Sequence, residues 1–296
     1  MAKQRRSLGG KVVAITGGAR GIGKATATAL VRKGCRVAIG DLDLELAEKT
    51  AAELGGGTVA LPLDVTDRSS FAAFLDEAER QLGPLDAVIN NAGIMPVTPF
   101  VEESEESVHR QIDINQHGVI TGTQLAIERL RPRGTGYIVN LASQAGKAGI
   151  PGIATYSATK HAVVGLSEAV RTELRGSGVE VVCVMPTVVN TDLTSGLGQK
   201  WVKPVEAEDV ANEIVDAMEV PRFDVFVPRA NGALYRVMTL LPRGAREGLG
   251  RLMKVDKLMF EVDHGARRAY EERAAASVGK GGEESASPEP ARRDAA

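Results

Sequence analysis

Tyr156 and Lys160 stand four positions apart in the run Tyr156-Ser157-Ala158-Thr159-Lys160, with Ser143 a short way upstream. On a helix, side chains at i and i+4 stack on one face, so the phenol and the amine project toward one point. An isolated tyrosine, with a pKa of about 10, is a poor base at neutral pH. A neighbouring ammonium favours the phenolate and lowers that value, which would make the pair a proton-transfer device. Tyr and Lys at this spacing also occur on solvated helix faces. The meaning of the pair therefore depends on the segments around it.

The first such segment is the turn Thr16-Gly17-Gly18-Ala19-Arg20-Gly21-Ile22-Gly23, which follows the apolar run Val12-Val13-Ala14-Ile15 and opens a helical pattern. Glycines let a backbone turn sharply and approach a pyrophosphate without a Cβ in the way. The helix behind offers free N–H groups and the positive end of its dipole. The spacing is G-x-x-x-G-x-G, not the generic G-x-G-x-x-G. Asp41 ends the second apolar run, where dinucleotide-binding folds carry an acid, about 20 residues on, for the adenosine ribose hydroxyls. A carboxylate there repels a 2′-phosphate and favours NAD over NADP. Two other readings stay open. Asp41 could cap the next helix, as Asp43 could also do, and Arg20 could hold a 2′-phosphate.

Strands are expected over 12–15, 36–39, 58–63, 85–90, 137–141, 179–184 and 224–227, and helices over 22–33, 43–54 and 69–82. The strand runs are continuous in Val and Ile rather than alternating, as in strands buried on both faces. Their alternation with helices predicts an α/β fold, a single doubly wound Rossmann-type domain of about seven parallel strands flanked by helices. The rhythm stops near residue 229. The expected organisation is a domain over 8–228 with a substrate-covering segment at about 190–204, an amphipathic helical C-terminal extension over 229–275, and a tail over 276–296 with a disordered composition.

Taken in order, these segments resemble the short-chain dehydrogenase/reductase family, in its compact form. The resemblance covers residues 10 to about 228. It rests on the glycine turn, Asp64-Val65 after the third strand, Asn90-Asn91-Ala92-Gly93 after the fourth, Asn115, Ser143 after the fifth, and Tyr156 with Lys160. It implies reversible hydride transfer between a nicotinamide and a secondary alcohol or carbonyl. Tyr156 would be the general acid/base and Ser143 would fix the substrate oxygen. Lys160 would lower the Tyr156 pKa and bind the nicotinamide ribose, and Asn115 would complete a proton relay through water. Gly17, Arg20, Gly21, Ile22, Gly23, Asp41, Asp64, Val65, Asn91, Ala92 and Gly93 would hold the cofactor, with Tyr156, Lys160, Pro186, Val189 and Thr191. One departure is Thr187, where the family usually has glycine after Pro186. A dinucleotide sensor without turnover is the alternative reading, and sugar-nucleotide epimerases share the Tyr/Lys pair. Homodimers or homotetramers are usual in the family.

The rest of the chain narrows the partners. A formal net charge of −2 over 296 residues gives no footprint for nucleic acid. Cys35 and Cys183 lie in or beside apolar runs, too few for a disulfide framework, which suits a reducing, cytoplasmic setting. His109, His117, His161 and His264 show no metal spacing, so no metal is expected. Leu193, Leu197 and Trp201, with Ile94, Met95, Val97 and Phe100, predict a hydrophobic small-molecule substrate. The extension interleaves Leu and Met with Arg and Lys. It reads either as a patch for peripheral membrane contact or a shield at the substrate entrance, or as a segment packed on a subunit neighbour.

Overall fold

In the computed structural model, which describes residues 5–196, 204–245, 248 and 263–276, the β-branched runs become parallel strands. β1 (Val12–Thr16), β2 (Arg36–Asp41), β3 (Val59–Pro62), β4 (Ala87–Asn90), β5 (Gly136–Leu141), β6 (Val179–Pro186) and β9 (Asp224–Val227) form one sheet in the order β3-β2-β1-β4-β5-β6-β9. Two short strands, β7 (Val189–Asn190) and β8 (Val205–Glu206), pair beside it. Side chains alternate across a strand, and here both faces are covered. Val13 and Ile15 of β1 pack with Ala27, Leu30 and Ile214 on one side. Val12 and Ala14 pack with Phe71, Phe74, Leu75 and Leu130 on the other. This double burial is why the strands read as unbroken apolar runs.

The helices over these faces are α1 (Gly21–Arg32), α2 (Leu44–Leu54), α3 (Arg68–Leu82), α4 (Glu105–Ile112), α5 (Gly118–Leu130), α6 (Ala154–Glu173) and α7 (Ala207–Glu219). Several begin at side chains that accept an otherwise unpaired N–H. Asp43 accepts from Leu46 at the start of α2, Asp67 from Ser69 at α3, and Ser104 from Ser107 at α4. α4 and α5 run together through a π-helical turn at Asp113–His117. A widened turn of this kind is rare and tends to mark functional positions, and Asn115 sits inside it. The strand order reverses between β1 and β4, which opens a crevice at the carboxyl ends of the strands.

Beyond β9 the chain makes α8 (Ala230–Leu240) and, further on, a helix we call α9 (His264–Ala276). α8 leaves Leu234, Val237 and Leu240 exposed, whereas Arg267, Tyr270 and Ala274 of α9 are buried. Ala276, expected in the tail, ends this helix. Leu197, Trp201 and residues 277–296 lie outside the described residues. Among the described residues no helix is long and apolar enough to cross a membrane.

Candidate active site

The glycine turn owes its shape to neighbours as well as to its own sequence. Gly17 has φ +63°, and a Cβ on it would stand 2.9 Å from the Cα of Ala92. A Cβ on Gly23 would stand 2.1 Å from the carbonyl oxygen of Gly17. Asn91 pins the same turn, its amide donating to the carbonyls of Thr16 at 2.8 Å and Gly17 at 3.0 Å. Thr16 returns the contact, its hydroxyl accepting from the N–H groups of Asn91 and Ala92 at 2.9 and 3.0 Å. Arg20 stands at the N-cap of α1 without a side-chain cap bond. The first N–H groups of α1 are thereby left to a ligand, and an anion suits them.

Asp41 divides its carboxylate between the N–H groups of Ala19 at 3.0 Å and Asp43 at 3.2 Å. The cap of α2 falls to Asp43, which also takes Arg20 as its ion-pair partner at 2.5 Å. The question left open by the sequence is thus answered for the cap. The Arg20 cation also lies against a carboxylate of the same strand end.

A cleft of about 680 Å³ runs along these groups. Gly17, Arg20, Gly21, Ile22, Asp41, Asp64, Val65, Asn91, Ala92, Gly93 and Thr191 line it. The other expected residues do not. Gly23 lies under the turn, and Val189 is buried at the start of β7 while Pro186 ends β6. The Asp64 carboxylate accepts from the N–H and hydroxyl of Thr66, at 2.9 and 2.6 Å. A close-packed glycine cradle, an uncapped helix start and a cleft lined by the Asp41 carboxylate together fit a dinucleotide.

Deeper in, α6 delivers Tyr156 and Lys160 on its buried face. Lys160 donates to the carbonyl of Leu141 at 2.8 Å and lies 5.5 Å from the centroid of the Tyr156 ring. Ser143, whose hydroxyl accepts from the N–H of Ala145 at 3.1 Å, hydrogen-bonds Tyr156. Asn115 clasps the backbone of Ile94, accepting its N–H and donating to its carbonyl, each at 2.8 Å. Gly93 is the meeting point, since a Cβ there would stand 3.1 Å from Asn115 Oδ1 and 3.6 Å from Lys160 Nζ. All four expected catalytic side chains therefore converge, although none borders the cleft.

The expected lowering of the Tyr156 pKa is absent from this closed arrangement. Burial raises it above its ordinary value, the Ser143 hydrogen bond opposes that only in part, and Tyr156 stays protonated. Burial likewise holds the Lys160 ammonium down, to about 8 from an ordinary 10.5. Between those values the unfolded chain carries a proton that the folded chain has released, so stability rises with pH across that window. Below it the full cost of burying the charge is present, on the order of 3 kcal/mol. Melts of wild type and Lys160→Met from about pH 7 to about pH 10 should therefore show the wild type gaining on the variant as pH rises. A constant difference would exclude a depressed amine at this position.

Beside these polar groups, apolar side chains pack against Tyr156: Met95, Val97, Ala145 and Ile153, with Ile150 and Leu193 against them. Phe100, expected in this wall, is instead 65% exposed on a 3-10 turn. Thr187, in place of the family's glycine, donates its N–H to the carbonyl of Val227 at 2.9 Å. Sequence reasoning missed Gln144, whose amide bridges the carbonyls of Met185 and Val227 while its oxygen accepts from Asn231. Its position directly after Ser143 was the available signal. It also missed Tyr270 and Arg273, which line the cleft from α9; nothing local in the sequence says that this helix returns to the site. Among the described residues no group of His, Cys, Asp and Glu could hold a metal ion.

The comparisons with known proteins agree with this geometry. A family model described as short chain dehydrogenase matches residues 11–201. A sorbitol dehydrogenase of Cereibacter sphaeroides is 40% identical over 195 residues, 66% of this chain and 76% of that protein. The human 17-beta-hydroxysteroid dehydrogenase 13 is 27% identical over 259 residues, 86% of each chain. A short-chain dehydrogenase/reductase from Burkholderia phymatum, solved in complex with NAD, superposes with a TM-score of 0.73 at 25% identity, over 79% of this chain and 94% of that one. The chain belongs to the short-chain dehydrogenase/reductase family. It is a nicotinamide-dependent oxidoreductase acting on CH–OH groups.

Proposed function

We propose that the protein interconverts an apolar secondary alcohol and its ketone, with NAD preferred over NADP and Tyr156 exchanging the proton. The observation that carries this reading is the buried set of Ser143, Tyr156 and Lys160 behind Gly93, which lines a cleft that Asp41 also lines. When bound, the nicotinamide supplies the hydride acceptor or donor. Ser143, with its hydroxyl oriented by Ala145, fixes the substrate oxygen beside the phenol. Tyr156, held protonated, donates to that oxygen in the reductive direction; in the oxidative direction its phenolate, formed once the phenol proton has passed to solvent, takes the hydroxyl proton. Lys160 anchors to Leu141 and keeps a cation below the ring, and Asn115 connects the same pocket to the backbone of Ile94.

The preference for NAD rests on Asp41 in the cleft wall, with Arg20 engaged by Asp43. The apolar substrate rests on the side chains around Tyr156. The two relatives named above differ in the polarity of the compounds their names describe, a polyol for one and a steroid for the other. The apolar wall supports the second kind. Titration with NAD and NADP, followed by a panel of secondary alcohols from polyols to steroids, tests both halves. NAD should bind more tightly, and Asp41→Ser should narrow the gap by about ten-fold, the worth of one charge-assisted hydrogen bond. Tighter binding of NADP by the wild type would refute the role of Asp41. Preferential turnover of polyols would refute the apolar substrate.

A further inference from the structure

Arg267 is 0% exposed, yet nothing in the proton-exchanging set touches it. Burying a guanidinium is costly unless its N–H groups are paired, and here each direction of the fork finds an oxygen. It donates to the carbonyl of Met95 in the segment after β4. It donates to the carbonyls of Leu193 at 3.0 Å and Ser195 at 3.2 Å in the segment after β6. Glu271, on its own helix, accepts at 3.0 Å. The guanidinium also lies over the ring of Tyr270, 4.9 Å from its centroid. Tyr270 in turn accepts the N–H of Met95 at 2.7 Å.

α9 is seated on these segments rather than passing over them. The N–H of Asp263, just before the helix, donates to the carbonyl of Gly196 at 2.8 Å, and the hydroxyl of Ser195 donates to Ala266 at 3.1 Å. Arg273 pairs with Asp192 at 2.8 Å. Gly196 has φ +73°, and a Cβ on it would stand 2.5 Å from the carbonyl oxygen of Asp263. The two segments that Arg267 ties together are the ones that wall in Tyr156. Met95 and Val97 come from one and Leu193 from the other, and Tyr156 between them is 8% exposed. Whatever fixes the separation of those segments fixes the room beside the phenol.

We propose that Arg267 is a positioning residue that determines substrate size: through Met95, Leu193 and Ser195 it holds the two walls of the substrate site together over Tyr156, with α9 as the third wall. The inference rests on the reading of Tyr156 as the group that meets the substrate. A lysine could not replace it, because three carbonyls in two segments need the planar fork and a single ammonium cannot span them.

The test combines a chemical probe of Tyr156 with a substrate series. Acetylation of individual tyrosines by N-acetylimidazole is followed by peptide mapping in wild type, Arg267→Ala, Arg267→Lys and Tyr270→Phe. Tyr137, 2% exposed in β5, serves as the internal control. Releasing the walls should speed acetylation of Tyr156 at least about ten-fold in Arg267→Ala, with Tyr137 unchanged, as in a local opening. Arg267→Lys should rescue this only in part, and Tyr270→Phe should shift it less. With secondary alcohols of increasing bulk, the kcat/KM ratio of bulky to small should rise about ten-fold in Arg267→Ala, mainly through a lower KM for the bulky ones. Unchanged acetylation of Tyr156 in all three variants, or an unchanged ratio in an active enzyme, would overturn the proposal. If Tyr137 reacts equally in Arg267→Ala, that variant has lost its fold and Tyr270→Phe decides by the same criterion. An opened Tyr156 with no turnover of any alcohol, even by the wild type, would instead refute the oxidoreductase substrate reading and support the covering role of Arg267.

Discussion

Tyr156→Phe should lower turnover of any good substrate by about 10²–10⁴-fold, the usual contribution of a positioned general acid or base. In barrier terms this is about 3–5 kcal/mol. The phenol is the group in the buried set that carries an exchangeable proton toward Ser143, and phenylalanine keeps the ring that packs with Met95, Val97, Ala145 and Ile153. The loss should therefore fall on kcat rather than on folding. Steady-state kinetics beside a thermal melt checks this. Turnover near the wild-type rate would mean that the proton comes from elsewhere, and the mechanism proposed here would be wrong.

Gly23→Ala should weaken NAD binding by about 100-fold or more, a change of about 3 kcal/mol. The added Cβ would stand 2.1 Å from the carbonyl oxygen of Gly17 and 2.8 Å from the Asn91 amide. The first of these is backbone, so the turn itself must move. Moving it pulls the N–H groups of α1 out of line with an incoming phosphate and disturbs the Asn91 bonds that tie the turn to β4. Overpacking of this kind also destabilises, typically by about 1–3 kcal/mol. The two effects separate in the measurement: nicotinamide fluorescence titration reads the binding loss, and the melt reads the stability loss. A variant that binds NAD like the wild type would show that the turn does not hold the phosphates.

The sheet was legible because its strands are buried on both faces, so each appears as an unbroken apolar run. The strand at 179–184 was read two residues short, since Met185 and Pro186 continue β6 without β-branched side chains. The glycine turn and the Tyr156–Lys160 pair were legible for a similar reason: each is a local feature whose chemistry depends on spacing along one element. The wall at Phe100 was misread because hydrophobicity alone does not say which way a loop residue points. The direction of the Tyr156 pKa shift was misjudged because the sequence shows the neighbouring amine but not the desolvation of the buried phenol, which raises it.

By itself the sequence determined the α/β order and the glycine turn, set by short-range periodicity and backbone geometry, and its resemblance to the family pointed to Tyr156 and Lys160 as candidates for proton exchange. Only the tertiary structure decided that Asp43 takes the cap and the Arg20 ion pair, while Asp41 lines the cleft. It alone decided that Arg267 and Tyr270, more than a hundred residues beyond Tyr156, bond to the backbone of Met95, whose side chain packs with Tyr156. Contacts at that separation depend on how packed elements stack, and no local pattern of residues records where a distant helix comes to rest.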